Sequence, residues 1–556
     1  MSENENTVKI PKWVKKEIEQ IVETYGKDFE RSKAFFNELL GWYKKGNTWP
    51  DEINIKVDGT TTIEDFKKYF TKSSDSKYID QFSFLYMIYR FGPDNRIIIA
   101  NKLSQPDSKH DECLFLGIPS TKQGAGAIYE KSDKVLYDKI NEINDSDGVI
   151  KLFDEKEGKK LRLTPKGITL GGFMCYPEDI MPLDSKTMAL LSYLGFDSNI
   201  NSADDYRNLL KDVKAAFGYD GLQGIQKYFF NAISYLGYKI KEMTELNELL
   251  KINKHVILHG APGTSKTYTV QQFEKYNSEG CVFEKCQFHP SFTYEDFMEG
   301  FKPVSRNNGM ELELKNGIFK QFVKKAYEDK DSDKKYYFFI DEINRAELSR
   351  VFGELLFCLE NRIKVNEKGE MVNLIKTQYF SYLDSLESDD EKAELSIFGN
   401  KVMSFGIPEN VHIIGTMNDI DRSVDNIDMA FRRRFVWHEM TFDEERLRMK
   451  LTNVVKINTK DPFFQQKDIT EILEFAQKIN DKIIKQGLSS DFKIGHTYFM
   501  DIDKYYSGSS GLAGAKKKLW QLNIKPLIKE YLRTILSLDE IGEKLDKMAE
   551  ELKVNE

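Results

Sequence analysis

An α/β fold with a parallel sheet and a carboxy-terminal helical lid, preceded by a mixed α+β region, is predicted by three observations. From residue 254 short apolar strands alternate with helical periodicity, a glycine-rich turn joins the first strand to a helix, and past Met440 the pattern becomes almost purely helical. Strands alternating with helices imply a parallel sheet covered on both faces. The 556 residues allow about three or four domains, and 40% hydrophobic with 31% charged residues is too apolar for disorder and too charged for a membrane protein. A formal charge of −8, from 81 Lys+Arg and 89 Asp+Glu, argues against bulk wrapping of nucleic acid.

Along the chain, Lys12–Leu40 carries Trp13, Ile18, Ile21, Val22, Phe29, Phe35 and Leu39 at helical intervals, and Arg96–Ala100 and Leu161–Leu170 read as strands. Pro and Gly punctuate Gly167–Pro182, after which the pattern is helical to Leu250. The predicted divisions are a recognition domain at 1–185, a helical connector at 186–250, the α/β core at 251–440 and the lid at 441–556. Within the core the predicted strands are His255–His259, Cys281–His289, Tyr336–Asp341 and Val411–Met417; in the lid, Asp468–Gln486 and Ala515–Leu536 are the clearest helices. Five scattered cysteines, Cys113, Cys175, Cys281, Cys286 and Cys358, suit a reducing cytosol rather than a disulfide framework. The polar amino terminus has no leader-like apolar run, and no stretch approaches a membrane span, so a cytoplasmic location is expected.

The strongest chemical signal is the run Gly260, Ala261, Pro262, Gly263, Thr264, Ser265, Lys266 and Thr267, directly after an apolar strand and opening a helix. In such a P-loop the backbone N–H groups curl round phosphates, Lys266 reaches the β/γ oxygens and the Thr267 hydroxyl holds Mg²⁺. Ser265 stands where glycine is usual, which a serine tolerates if φ is not forced positive. The strand Tyr336–Asp341 then ends in two carboxylates: Asp341 suits the Mg²⁺ shell, and Glu342 suits activation of a water. A separation of some 75 residues lets the two strands lie side by side. A third strand ends in Asn418, positioned to bond the γ-phosphate or the water. The helix after it ends in Arg432, Arg433 and Arg434, which either cap carbonyls or reach a neighbouring subunit's nucleotide.

Together these residues resemble the AAA+ superfamily, and within it the McrB family, the nucleotide-driven subunits of modification-dependent restriction systems. The resemblance covers about residues 245–540. It rests on the P-loop, on Phe288-His-Pro-Ser-Phe-Thr-Tyr-Glu-Asp-Phe-Met-Glu-Gly300, Ile340-Asp-Glu-Ile-Asn-Arg-Ala346, Met417-Asn-Asp-Ile-Asp-Arg-Ser423, Arg432-Arg-Arg-Phe435 and Ile494-Gly-His-Thr-Tyr-Phe499. It implies Lys266, Thr267, Asp341 and Glu342 as the hydrolytic set, Asn418 as sensor, and Asp421 and His496 near the nucleotide. Arg422 and one or more of Arg432–Arg434 would act in trans. It also implies a ring, most simply a hexamer, turning over GTP or ATP with Mg²⁺ and driving a separate McrC-like nuclease subunit. Asp419 replaces the family's threonine, and a carboxylate near the γ-phosphate would slow hydrolysis or tie it to a partner.

No nuclease site is expected in this chain. Asp154-Glu-Lys156, with Asp145 and Asp147 before it, reads better as part of a hairpin turning at Glu157-Gly158. The family would place its target reader in residues 1–185, which hold 28 Lys+Arg and 31 Asp+Glu, a net of −3. A reader flipping a modified base into an aromatic pocket needs only a small basic rim, and Trp13, Trp42, Tyr43, Trp49 and Phe70 are available. DNA reading, recognition of a protein or other signal, and a structural role all fit that composition. Two other functions share the motor signature: a MoxR-like ATPase remodelling a protein client, and a nucleotide-gated signalling ring with slow hydrolysis.

Overall fold

The computed structural model describes residues 8–23, 47–48, 71–72, 145–151, 153–154, 169, 176, 178–197, 199–218, 229–306, 309–399, 402–420, 427–444, 446–448, 450–451, 466–506, 511–533 and 535–554. The chain forms two compact units, Met1–Thr244 and Glu245–Glu556.

In the first unit, residues 12–23 are helical and bury Val14, Ile18, Ile21 and Val22, the spacing of one apolar helix face. Trp42, Tyr43, Trp49, Phe70 and the predicted strand Arg96–Ala100 lie outside the described residues. Of the predicted strand Leu161–Leu170 only Thr169 is described, and it is helical. Helices Ser185–Leu194, Ala203–Phe217 and Phe229–Lys239 belong to this unit, so most of the expected connector folds with the amino-terminal region. The buried Tyr206 hydroxyl ties helix Ala203–Phe217 to the preceding segment, accepting from Met181 N–H at 2.8 Å and donating to Met181 O at 2.6 Å. Asp145 and Asp147 serve local structure: Asp145 accepts from Gly148 N–H, and Asp147 pairs with Lys151 and Arg207. Asp154 accepts from Ala203 N–H, and Glu155 to Gly158 lie outside the described residues.

The second unit is built on five parallel strands, β1 (His255–Gly260), β2 (Cys281–Gln287), β3 (Lys335–Asp341), β4 (Val411–Asn418) and β5 (Val436–Glu439), in the order β5-β1-β4-β3-β2. β1, β3 and β4 are almost wholly buried, as parallel strands covered on both faces must be. Side chains of these strands and of helix α2 (Ile318–Glu328) form one core in which Ile257, Phe297, Phe319, Phe338, Ile340 and Ile413 are fully enclosed, while Phe273 of helix α1 (Lys266–Tyr276) packs edge-on against Tyr337 of β3. The expectation that β1 and β3 are neighbours is corrected: β4 lies between them, pairing Asn418 with Gly260 on one side and Gly415 with Ile340 on the other. The tip of β4 therefore stands between the P-loop and the acidic end of β3.

An antiparallel hairpin, Glu299–Arg306 with Gly309–Asn316, leaves the sheet between β2 and β3. The lid follows β5 with helices α3 (Gln466–Lys485), α4 (Thr497–Met500), α5 (Gly511–Leu519), α6 (Lys525–Leu532) and α7 (Leu538–Glu551), the long predicted helix 515–536 being interrupted by a π-turn at Trp520–Ile524. Trp520, Ile472, Ile479, Phe499 and Ile528 centre its own apolar core. Among the described residues no helix is long and apolar enough to cross a membrane. Cys281 and Cys286 sit part-buried on β2, where burial pushes the Cys286 thiol up to about 12.

At the amino-terminal ends of β1 and β4 lies a buried polar knot. Arg362 donates to His255 Nε2, and His255 Nδ1–H in turn donates to Arg434 O at 3.2 Å. Burial, reinforced by the Arg362 guanidinium, pulls His255 well below the ordinary 6.5; burial, with Lys254 and Arg362, brings His412 down to about 4. The unfolded imidazoles take up protons first as pH falls, so this stabilisation is complete above about 6.5 and is lost as pH drops toward 4. The thermal midpoint is expected to fall steadily as pH is lowered from 7, with His412→Gln flattening part of the slope; an unchanged slope would mean His412 titrates normally.

Candidate active site

β1 ends where the chain must pass close to the residue after β5. Gly260 has φ 142°, and a Cβ there would lie 2.3 Å from Met440 O, so glycine is required. The loop curls round Lys266, whose buried Nζ donates to Gly260 O at 3.0 Å and Ala261 O at 2.7 Å. Carbonyl dipoles hold the ammonium where a phosphate oxygen, carrying full charge, would be a stronger acceptor. Helix α1 begins at Lys266 with no side-chain cap, leaving its first N–H groups and the positive end of its dipole for an anion.

Ser265 is a correction to the sequence reading. Its φ is +69°, left-handed backbone that costs a non-glycine residue about 1–2 kcal/mol. The compensation comes from the lid: His496 Nε2 lies 2.6 Å from Ser265 Oγ, and His496 Nδ1 accepts from Asp443 N–H at 3.1 Å. Because Nδ1 accepts, the neutral ring carries its proton on Nε2 and donates it to the serine. The backbone joins as well: Gly495 N–H donates to Pro262 O at 3.1 Å, and Thr497 donates to Gly263 O from both N–H and Oγ1. A Cβ on Gly495 would fall 2.1 Å from Gly263, so this lid segment lies directly against the loop.

Across the cleft Asp341 Oδ1 accepts from Thr267 Oγ1 at 3.2 Å and from Thr416 Oγ1 at 2.5 Å. Glu342 has φ 51°, a strained setting at the end of β3, and its carboxylate accepts from Asn418 Nδ2 at 3.0 Å and from Arg345 Nε at 3.3 Å. Gly263 to Tyr268, Asp341, Glu342, Thr416, Asn418 and Thr497 line one cavity of about 250 Å³.

Comparison with known proteins agrees with this geometry. Residues 255–435 match the AAA domain family of the dynein-related subfamily, and residues 471–534 match the McrB alpha-helical lid domain. The chain carries an McrB-like AAA+ module. It is 33% identical over 289 residues to the type IV methyl-directed restriction enzyme EcoKMcrB subunit of Escherichia coli K12, covering 51% of this chain and 54% of that one. It is also 28% identical over 226 residues to the type II restriction enzyme BsuMI component YdiS of Bacillus subtilis 168, covering 37% of this chain and 62% of that one. The McrB-like chain thus spans between half and two thirds of the length of these relatives.

Asp421 and Arg422 lie outside the described residues. Asp419 does not line the cleft: its carboxylate lies 3.0 Å from His259 Nδ1, beside Trp437, which corrects the expectation of a carboxylate facing the γ-phosphate. Of the arginine triplet, Arg434 is tied inside its own subunit, with Nη1 on Ala430 O at 2.5 Å, Nη2 on Glu360 at 3.2 Å and only 10% of its side chain exposed. Within this subunit it holds the end of its helix, the carbonyl-capping alternative given for the triplet. Arg433, 65% exposed, touches Glu360 through Nε, and Arg432 lies over the Trp437 ring.

Sequence reasoning missed Thr416, Arg345 and Thr497. Thr416 had a signal, because strand periodicity puts residues 416 and 418 on the same face of β4. Thr497 and Arg345 lay inside quoted motifs, but their partners are set by tertiary packing. The oxygens at Thr267 and Asp341 suit Mg²⁺, a hard cation that takes few protein ligands and completes its shell with phosphate and water. Among the described residues no group of three or more His, Cys, Asp or Glu side chains is placed to hold a metal ion.

Proposed function

We propose that this McrB-like chain hydrolyses GTP or ATP as a ring, and that the ring drives a separate nuclease subunit in restriction of modified, incoming DNA. The observation that carries the hydrolytic part is the pairing of Thr267 and Thr416 on Asp341, and of Asn418 on Glu342, in one cleft that the P-loop also lines.

In this reading the loop N–H groups and Lys266 bind the β- and γ-phosphates. Thr267 and Asp341 would hold Mg²⁺, which neutralises developing charge on the phosphates when bound. Glu342, fixed by Asn418 and Arg345, orients the attacking water and takes its proton. The exposed Arg433 and Arg432 are the guanidinium groups available to a neighbouring subunit, where they would offset charge on the transferring phosphoryl group. The methylated target follows the methyl-directed restriction enzyme to which the Escherichia coli relative belongs, and the nuclease partner and hexameric ring follow the family resemblance, with residues 1–185 as the proposed target reader.

Hydrolysis of GTP and of ATP, each measured with and without methylated DNA and with an McrC-like subunit, tests the reading. Turnover that prefers one nucleotide and rises with the nuclease subunit is expected; turnover indifferent to DNA and to that subunit, but raised by a protein client, would replace restriction with protein remodelling.

A further inference from the structure

We propose that His496 is a positioning residue for the P-loop, acting through Ser265, so that contact with the lid sets nucleotide affinity. The proposal rests on the cleft being a nucleotide site and names the device that regulates it.

A P-loop usually places glycine before its lysine because the backbone there turns left-handed. In this chain Ser265 occupies that corner with φ 69° and ψ 19°, and nothing in its own loop caps its hydroxyl. The hydroxyl instead takes a hydrogen bond from a ring that is 1% exposed and belongs to the segment between α3 and α4. The ring's orientation is fixed independently by Asp443 N–H on Nδ1 and by the edge of Phe442 at 6.3 Å. Ser265 and Lys266 are consecutive and both line the cleft, so any relaxation of the serine corner moves the ammonium and the first N–H groups of α1 together. A glycine at 265 would hold the corner by itself. A serine leaves it dependent on the lid.

The dependence has a signature that a purely structural histidine would lack. Nucleotide affinity is read by titrating fluorescent GTP and ATP analogues with Mg²⁺ into the full chain. His496→Ala is expected to weaken binding about tenfold in the native Ser265 background and at most about twofold in the Ser265→Gly background, because glycine needs no external support. Ser265→Ala, which keeps a Cβ at the left-handed position and leaves the lid residues unchanged but removes the acceptor, is expected to weaken binding by a similar factor and keeps the test available if His496→Ala fails to fold. Equal loss from His496→Ala in both backgrounds, or native affinity in Ser265→Ala, would overturn the proposal. If the unmodified chain binds neither nucleotide, the nucleotide site itself is refuted, and the proposal falls with it; loss of the coupling while the unmodified chain still binds refutes only the role of His496.

Discussion

Glu342→Gln is expected to lower nucleoside triphosphate turnover by about 10²–10⁴-fold while leaving the nucleotide bound. The substitution preserves side-chain length and the left-handed backbone at residue 342, so the sheet and the P-loop are untouched. Glutamine still offers an oxygen to the Asn418 amide, now 3.0 Å from the carboxylate, but it has no basic oxygen to accept the water's proton. Asn418→Ala should be milder, since it removes the orienting bond and leaves the base. With phosphates held by Lys266 and no route to hydrolysis, the Gln variant should accumulate as a nucleotide-loaded assembly. Sedimentation in the presence of GTP or ATP, beside a phosphate-release assay, measures both halves. Turnover within about twofold of the parent would remove Glu342 from the role of base.

The sequence carried what depends on near neighbours along the chain. β1, β3 and β4 read as apolar runs because buried parallel strands need them, and Gly260 to Thr267 read as a phosphate loop because strand, glycines, lysine and hydroxyl are contiguous. β5 escaped: four residues, Val436–Glu439, at the edge of the sheet give too short a pattern to separate from the helix end before them. The order of the strands escaped too, since spacing along the chain does not say that β4 inserts between β1 and β3. The hairpin at 299–316 shows clear alternation in Met310, Leu312 and Leu314, yet its composition overlaps the motif that precedes it. Partnerships across long separations were out of reach. His496 meets Ser265 across 231 positions, and Arg362 meets His255 across 107.

The arginine triplet yields the sharpest test of assembly, because three identical side chains in a row have three different fates. Arg434→Ala should lower the melting temperature, since it removes bonds to Ala430 O and Glu360 from a largely buried side chain. Arg433→Ala removes an exposed group whose contact with Glu360 is worth little, so it should melt like the parent and yet lose turnover by about 10³-fold if the guanidinium serves a neighbour. Complementation then decides between action in cis and in trans. Arg433→Ala and Glu342→Gln subunits are each inactive alone. Mixed in equal amounts, they create interfaces where an intact Arg433 from one subunit faces an intact Glu342 in the next, and about one quarter of parental turnover should return if subunits mix at random. No recovery, although mixed assemblies form, would place Arg433 in its own subunit's site or outside the reaction. Arg432→Ala, tested in the same mixture, separates its stacking on Trp437 from any part in the neighbouring site.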